Sequence, residues 1–196
     1  MRLSPDGHTL SGFLGQLGAE GPAPAGGSAA AAALAMAAAV VAMAARGSRD
    51  AWALGAGAAG QADALKERAA SLIDEDASAY LDAAAALDSA IYPEAGSAPD
   101  PALGAKLERA AAVPLRLAES AADLAVLAAE VAESGEPNLR ADAVAACLIA
   151  EGAGRAAAHL VEINLGLARD DERRTVLREL DTVFAEARGR AVGAGA

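Results

Sequence analysis

One cluster of side chains suited to proton transfer lies in the middle of the chain. Asp74, Glu75 and Asp76 are consecutive, and Tyr80 follows four residues after Asp76. On a helix, residues four apart lie on one face, so the Asp76 carboxylate and the Tyr80 phenol become neighbours. If both lean toward the interior of a helical bundle, the pair could transfer a proton or hold a ligand amine. The alternative from spacing alone is a solvated acidic turn.

A second cluster is the glycine-rich segment that precedes a long apolar stretch. Gly26 and Gly27 leave backbone N–H groups uncovered, and the start of a helix adds a partial positive charge. Such a site suits an anion or the polar edge of a ring. Ser28 is expected to cap the helix through its hydroxyl. A tight turn with an N-cap and no ligand explains the same spacing equally well.

Two further positions carry polar groups with possible functions. Asp142 is placed to cap a helix or to favour its dipole, and nearby Arg140 could receive an anionic group. Asn164 lies between Ile163 and Leu165, which predicts a buried amide that must find a hydrogen-bond partner.

Other chemical patterns favour structural roles. A polar stripe at helical spacing is predicted to be a solvated salt-bridge face; its members are Glu151, Arg155, His159 and Glu162. Cys147, the only cysteine, is expected to be a small buried hydrophobe. The glycines from Gly55 to Gly60 match the GxGxxG pattern of dinucleotide-binding proteins. That motif needs a strand before it, and no convincing strand precedes these residues. Glu-x-x-His pairs are absent, so no transition-metal site is expected.

Composition indicates how these groups must be held in place. Apolar residues make up 54% of the 196 positions and aromatic residues only 3%, which favours helices packed closely through alanine. The net charge of −11 argues against nucleic acid and anionic membrane surfaces as partners. No signal peptide is visible, and a lone cysteine fits a reducing compartment, so we expect a cytoplasmic protein.

The run 29–45 contains only apolar residues. Because a spanning helix needs about 20 residues, usually richer in leucine, we predict a helix buried on all sides rather than a membrane span.

Periodicity and breakers predict one all-α domain over 1–196, a compact bundle of five to seven helices with antiparallel neighbours. Pro114 is expected to kink or divide its helix. The predicted helices cover 9–17, 29–46, 58–91, 102–133, 139–168 and a last segment from Asp170 or Asp171.

Taken together, the ordered motifs resemble the cyclodeaminase/cyclohydrolase family of folate enzymes over nearly the whole chain. That family contains the cyclodeaminase half of formiminotransferase-cyclodeaminase and the bacterial methenyltetrahydrofolate cyclohydrolases. The motifs that carry the resemblance are Phe13-Leu14, Pro24 to Ser28, Asp74 to Asp76 with Tyr80, Val113-Pro114-Leu115, Ala141-Asp142-Ala143 after Asn138, and Ile163-Asn164-Leu165.

The resemblance implies an all-α homodimer that binds a reduced folate as substrate and needs no metal or redox cofactor. It implies catalytic roles for Asp76 and Asp142. It also implies substrate-binding roles for a larger set, which consists of Gly26, Gly27, Ser28, Arg46, Arg49, Tyr80, Arg140 and Asn164. The three arginines are the expected partners of the glutamate carboxylates of folate.

Two reactions, and one function without catalysis, are compatible with the resemblance. Hydrolysis of 5,10-methenyltetrahydrofolate to 10-formyltetrahydrofolate is favoured here, since no formiminotransferase portion accompanies the domain. Cyclodeamination of 5-formiminotetrahydrofolate is the alternative. Ala25, Ala141 and Leu160 depart from the family pattern and leave open a non-catalytic ligand-binding or dimeric interaction protein with a degenerate site.

Overall fold

The computed structural model describes residues 9–89, 101–165 and 172–194. Over these ranges the chain forms six α-helices, one 3₁₀ turn and no strand. This confirms the all-α prediction. The helices are α1 (Leu10–Leu17), α2 (Gly26–Gly47), α3 (Gly55–Ser89), α4 (Pro101–Ser134), α5 (Arg140–Leu165) and α6 (Arg173–Gly193), with the 3₁₀ turn at Pro137–Leu139 before α5.

Four long helices form a closed ring in which α2 packs on α3, α3 on α4, α4 on α5, and α5 on α2. Side-chain contacts show that neighbours run antiparallel. The start of α2 meets the middle of α3 through Ser28 and Asp76, whereas Arg46 at its end contacts Asp63 near the start of α3. The sixth helix lies against α4 and α5.

Alanine fills most of the core, as the composition predicts, and the backbones therefore approach closely. Gly154 shows how closely: a Cβ there would overlap the ring of Phe184 and lie 2.9 Å from the Cβ of Ala121. Phe184 is fully buried and attaches α6 to the bundle. Truncation of such a ring costs about 3–5 kcal/mol.

Two buried serines tie the ends of α2 to the rest of the bundle. Ser28 donates its hydroxyl to the carbonyl of Ile73 on α3 at 3.0 Å. At the other end, the Ser48 hydroxyl donates to the carbonyl of Ala44 at 2.8 Å and accepts from the backbone N–H of Glu136 at 2.8 Å. Hydrogen bonds of this kind have a direction and a length, which alanine contacts lack.

Two predictions about the helices are wrong, and so is one of the two outcomes expected at Pro114. Ser28 does not cap α2, because the helix begins earlier, at Gly26, and its N-cap Ala25 makes no side-chain bond. Pro114 is expected to kink or divide its helix, and it does not divide α4, which continues through the buried proline. Helix α2 is not buried on all sides: Met36 and Met43 are each 43% exposed.

Length and composition alone would allow two segments to cross a membrane. They are Gly26–Gly47, of mean hydropathy 2.0, and Pro137–Leu165, of mean hydropathy 1.3. Within the bundle, 67% of the first window and 44% of the second are buried. The first is therefore mostly a core helix of the bundle.

Candidate functional site

A cavity of about 150 Å³ opens at the end of the bundle where α2 begins, between α2, α3, α4 and α5. Its polar lining comes from the glycine-rich segment, from the acidic stretch of α3 and from the end of α5. These lining residues include Gly26, Gly27, Asp76, Tyr80 and Asn164. Five of the ten residues proposed from the sequence therefore meet in one cavity.

Asp76 is the only acidic side chain among the described residues that line this cavity. Its Oδ2 accepts a hydrogen bond from the Ser28 hydroxyl at 3.1 Å. The same hydroxyl lies 3.0 Å from the carbonyl oxygen of Ile73. Because a hydroxyl has one proton, Ser28 can donate to either oxygen but not fully to both. It can donate to an ionised Asp76, or donate to Ile73 and accept a hydrogen bond from the hydroxyl of a neutral Asp76.

Burial raises the pKa of Asp76 above its usual value of 3.8. Hydrogen bonds from the Ser28 hydroxyl and backbone oppose this shift without cancelling it. Among the described residues, no cation pairs with Asp76. A carboxyl group in this setting exchanges its proton closer to neutral pH than an exposed aspartate does, which suits an acid or a base.

Gly27 is required for this contact. A Cβ added there would overlap the Asp76 carboxylate, with Oδ2 only 2.5 Å away. By contrast, a Cβ on Gly26 would meet nothing within 4 Å. The second glycine of the pair therefore allows close approach of two helices, and the first leaves space beside the cavity.

Asn164 and Tyr80 line the cavity from opposite sides, and the prediction that the Asn164 amide is buried is wrong. The side-chain amide of Asn164 is exposed and donates to the carbonyl of Ala110 on α4 at 2.6 Å. This leaves its oxygen free to accept from a ligand. Tyr80 is 49% exposed, because it lies at the mouth of the cavity.

Of the remaining candidate residues, Ser28 contacts Asp76 beside the cavity, and the other four lie at the opposite end of the bundle. Asp142 occupies the first turn of α5, 22 residues before Asn164, which at 1.5 Å per residue is about 33 Å along the helix. Arg46 pairs with Asp63, and Arg140 donates to the carbonyl of Ala132 at 3.0 Å. Arg49 follows the end of α2. Within one chain, Asp142 and the three arginines therefore do not reach the cavity.

The stripe predicted to be solvated is partly buried. The Glu151 side chain is only 8% exposed, and its Oε1 accepts from Arg155 at 3.0 Å and from Arg188 at 3.1 Å. Helix α6 supplies Arg188 and covers the carboxylate, which periodicity within α5 could not show. Cys147 is fully buried as predicted, and desolvation raises the pKa of its thiol to about 11.

Sequence reasoning missed the apolar wall of the cavity. Leu160 and Ile163 of α5 and Ala110 of α4 are part of this wall, together with three further alanines, Ala23, Ala25 and Ala77. The 58% exposure of Ile163, beside a polar amide, is a signal that only the structure provides. Within the described ranges, no group of three or more histidine, cysteine, aspartate or glutamate side chains could hold a metal ion.

Fold and site together define an all-α protein with an acid–serine cavity at one end of an antiparallel helix bundle. Residues 9–181 match the family model described as Formiminotransferase-cyclodeaminase, and the chain belongs to that family. Its fold is similar to the crystal structure of formiminotetrahydrofolate cyclodeaminase from Thermotoga maritima. The TM-score is 0.84, with 21% sequence identity and coverage of 97% of each chain. No curated protein matches the sequence.

Proposed function

We propose that this chain is a folate one-carbon enzyme that hydrolyses 5,10-methenyltetrahydrofolate to 10-formyltetrahydrofolate. The observation that carries the proposal is Asp76, a carboxyl group on the cavity wall with a raised pKa and only uncharged hydrogen-bond donors. The methenyl carbon lies between two nitrogens and shares a positive charge with them. When Asp76 is ionised, no cation among the described residues neutralises it. Its negative charge can therefore stabilise the positive charge of the methenyl group.

In this proposal Asp76 acts first as a base and then as an acid. A water oxygen attacks the methenyl carbon while its proton passes to the ionised Asp76. The C–N5 bond of the resulting adduct then breaks, N5 takes the proton from Asp76, and the hydroxyl proton leaves as the formyl group forms. The balance is one water consumed and one proton released. These steps need neither a metal ion nor a redox group.

Cyclodeamination of 5-formiminotetrahydrofolate is the second candidate, supported by the family description and by the name of the similar structure. Here N10 attacks the protonated formimino carbon, and Asp76 carries the N10 proton to the departing amino group. The C–N bond then breaks to release ammonia and the methenyl cation. Asp76 could transfer the proton in either reaction, because both form a tetrahedral carbon and both involve a positively charged one-carbon group.

The remaining lining residues are given binding roles in this proposal. The Asn164 oxygen and the backbone N–H groups near Gly26 would orient the pterin edge, and Tyr80 would cover it at the cavity mouth. Arg46, Arg49 and Arg140 are too distant within one chain to contact a folate whose pterin occupies this cavity.

The test is to give the purified protein each substrate separately. Loss of methenyltetrahydrofolate absorbance above the buffer rate supports hydrolysis, and ammonia release from 5-formiminotetrahydrofolate supports cyclodeamination. Saturable folate binding without either product would overturn both reactions and favour the non-catalytic binding protein. Absence of both binding and turnover would overturn the folate assignment.

A further inference from the structure

A proline in the interior of α4 leaves one backbone carbonyl without its usual partner. In an α-helix the N–H of each residue donates to the carbonyl four residues earlier. Pro114 has no N–H, so the helix supplies no donor from this position to the carbonyl of Ala110. A proline ring also crowds the carbonyl four residues before it. The Ala110 carbonyl is therefore open to a donor from outside its own helix.

Asn164 of α5 supplies that donor. Its side-chain nitrogen lies 2.6 Å from the carbonyl oxygen of Ala110, and the two residues are 54 positions apart in the chain. Because a carbonyl oxygen can only accept, the part of the amide that lies against it must be the NH₂ group. The amide is planar and carries its oxygen on the other branch, so this one contact sets the orientation of the whole group.

A second contact between the same two helices differs from the bond to Ala110. The Cys147 thiol of α5 donates to the Ala125 carbonyl of α4 at 3.6 Å. The N–H of Ala129 is present in the helix, so the backbone itself provides a donor for that carbonyl. Loss of the thiol would leave no acceptor unpaired there. Loss of the Asn164 amide, by contrast, would leave the Ala110 carbonyl without either donor.

The contact matters for the cavity, since Ala110 and Asn164 both line it. With the amide nitrogen held against α4, the amide oxygen stays available as an acceptor for a ligand. A half-turn of the amide would put NH₂ donors where this oxygen now lies. It would also bring two oxygens together at Ala110, which leaves that carbonyl unpaired and opposes the turn.

The place of the proline in α4 favours a functional role. Proline is the least favourable residue in the interior of a helix and alanine the most favourable, and three alanines, Ala110 to Ala112, precede this proline closely. Positions where a sequence breaks such a local rule are expected at functional sites. The carbonyl that Pro114 frees lies on the wall of the Asp76 cavity.

We infer that Pro114 is a positioning residue: by freeing the Ala110 carbonyl, it sets the orientation of the Asn164 amide and thus the acceptor that a ligand meets. Pro114 is buried and lines none of the described cavities, so it acts through Asn164. The ligand group that this arrangement selects is a hydrogen-bond donor, such as an N–H at the edge of a pterin. The effect on folate rests on the proposed function, whereas the coupling of Pro114 to Asn164 does not.

The coupling is tested by a double-mutant cycle in urea, which needs no substrate. Asn164→Ala should lower the free energy of unfolding of the wild-type protein, because the Ala110 carbonyl loses its donor. Pro114→Ala restores a backbone N–H, so in that background the effect of Asn164→Ala should be at least about two-fold smaller. Pro114→Val also restores the N–H, keeps more of the buried volume, and replaces Pro114→Ala if that variant does not fold.

Val113→Ala is the matched control for this cycle. It truncates a buried neighbour on α4 but keeps the proline, so Asn164→Ala should retain its full effect in that background. An equal effect of Asn164→Ala in the wild-type and Pro114→Ala backgrounds would overturn the coupling. So would an Asn164→Ala protein as stable as wild type.

The positioning role is tested by kinetics on the folate that wild type turns over. In Pro114→Ala the helix satisfies the Ala110 carbonyl and the amide is free to turn, so KM should rise about 2–10-fold with kcat near the wild-type value. In the Asn164→Ala background the same substitution should leave KM unchanged, whereas a loss of packing alone would act in both backgrounds. An unchanged KM in Pro114→Ala, or an equal rise in both backgrounds, would overturn the inference. If wild type turns over neither folate, the proposed function fails, and the cycle in urea still decides the coupling.

Discussion

Two carboxyl groups of the bundle, those of Glu151 and Asp76, are buried or partly buried. Their hydrogen-bond partners differ in charge. Glu151, between α5 and α6, is held by two guanidinium groups, those of Arg155 and Arg188. Asp76, between α2 and α3, receives hydrogen bonds only from Ser28. A carboxylate with two cationic partners is held in place by charge-assisted hydrogen bonds, whereas Asp76, with only neutral donors and a raised pKa, keeps its proton within reach.

The comparison favours a structural role for Glu151 and a role in proton transfer for Asp76. Glu151 joins two helices on the side of α5 that faces α6 and lines none of the described cavities. Asp76 faces open space and could meet a substrate. We expect replacement of the first to change stability and replacement of the second to change turnover.

The largest expected effect is on turnover after Asp76→Asn. The amide keeps the shape but cannot carry a proton, so kcat should fall about 10²–10⁴-fold, the usual contribution of a positioned acid or base. Asp74→Asn, an exposed acid two residues away, serves as the control and should retain wild-type turnover. Equal turnover by Asp76→Asn and wild type, in an assay where wild type is active, would remove Asp76 from the mechanism.

Next in size is Gly27→Ala, which displaces the Asp76 side chain without changing any charge. A shift of about 1 Å in a catalytic group can cost about 100-fold in rate, and we expect a loss of kcat of that order. The control, Gly60→Ala on the exposed side of α3, meets nothing within 4 Å and should add about 0.5–1 kcal/mol of stability. Denaturation in urea together with kinetics would separate the two effects; full activity in Gly27→Ala contradicts the proposed contact.

Glu151→Gln should act on stability alone. Loss of the charge weakens two hydrogen bonds to arginine, and we expect about 1–3 kcal/mol of destabilisation in urea. Turnover per folded molecule should stay at the wild-type value. A large fall in kcat would mean that Glu151 is not a purely structural acid.

The smallest effect is the pH dependence of stability. Since the pKa of Asp76 is raised in the folded state, the native protein holds this proton more tightly than the unfolded chain does. Wild-type stability should therefore fall, relative to Asp76→Asn, as pH rises from the unfolded pKa of 3.8 to the raised folded pKa. The slope should not exceed about 1.4 kcal/mol per pH unit.

Glu133 provides a control, because its pKa shift has the opposite direction to that of Asp76. Arg190 lowers the pKa of Glu133 below its usual 4.5. Its contribution to stability is complete above that value and is lost as pH falls through the folded pKa. Unfolding of Glu133→Gln and Asp76→Asn across the acid range should give opposite slopes relative to wild type, and slopes of the same sign would contradict one assignment.

Much of the fold could be predicted because its signals are local. Alanine content, proline and glycine breaks and apolar spacing predict the helices, and Asp76 with Tyr80 follows from one turn of helix. The spacing could not show that Glu151 is covered by α6, or that Ser28 reaches across to α3. Those contacts join residues 37 and 45 positions apart, and tertiary packing alone decides them.

The position of Asp142 illustrates the same limit. Its sequence context predicts the helix start correctly, because an aspartate in a first turn favours the dipole. Nothing local to Asp142 gives its distance from the glycine pair, which depends on the direction in which α5 runs. The sequence therefore indicates the candidate residues near the glycine pair and those near Asp142. It does not show that the length of a helix separates them.

The serine contacts at the two ends of α2 have a consequence for how the bundle is aligned. Between Ser28 and Ser48 the helix offers its neighbours mainly methyl groups, so a slide of one turn would exchange one alanine for another. The two hydroxyls, together with the fully buried Leu34 and Val41, distinguish the correct alignment from its near copies. Because Ser28 also contacts Asp76, a misaligned molecule would lose the hydrogen bond that holds the Asp76 carboxyl group. The Ser28 hydroxyl thus contributes both to the alignment of α2 and to the position of the proposed acid.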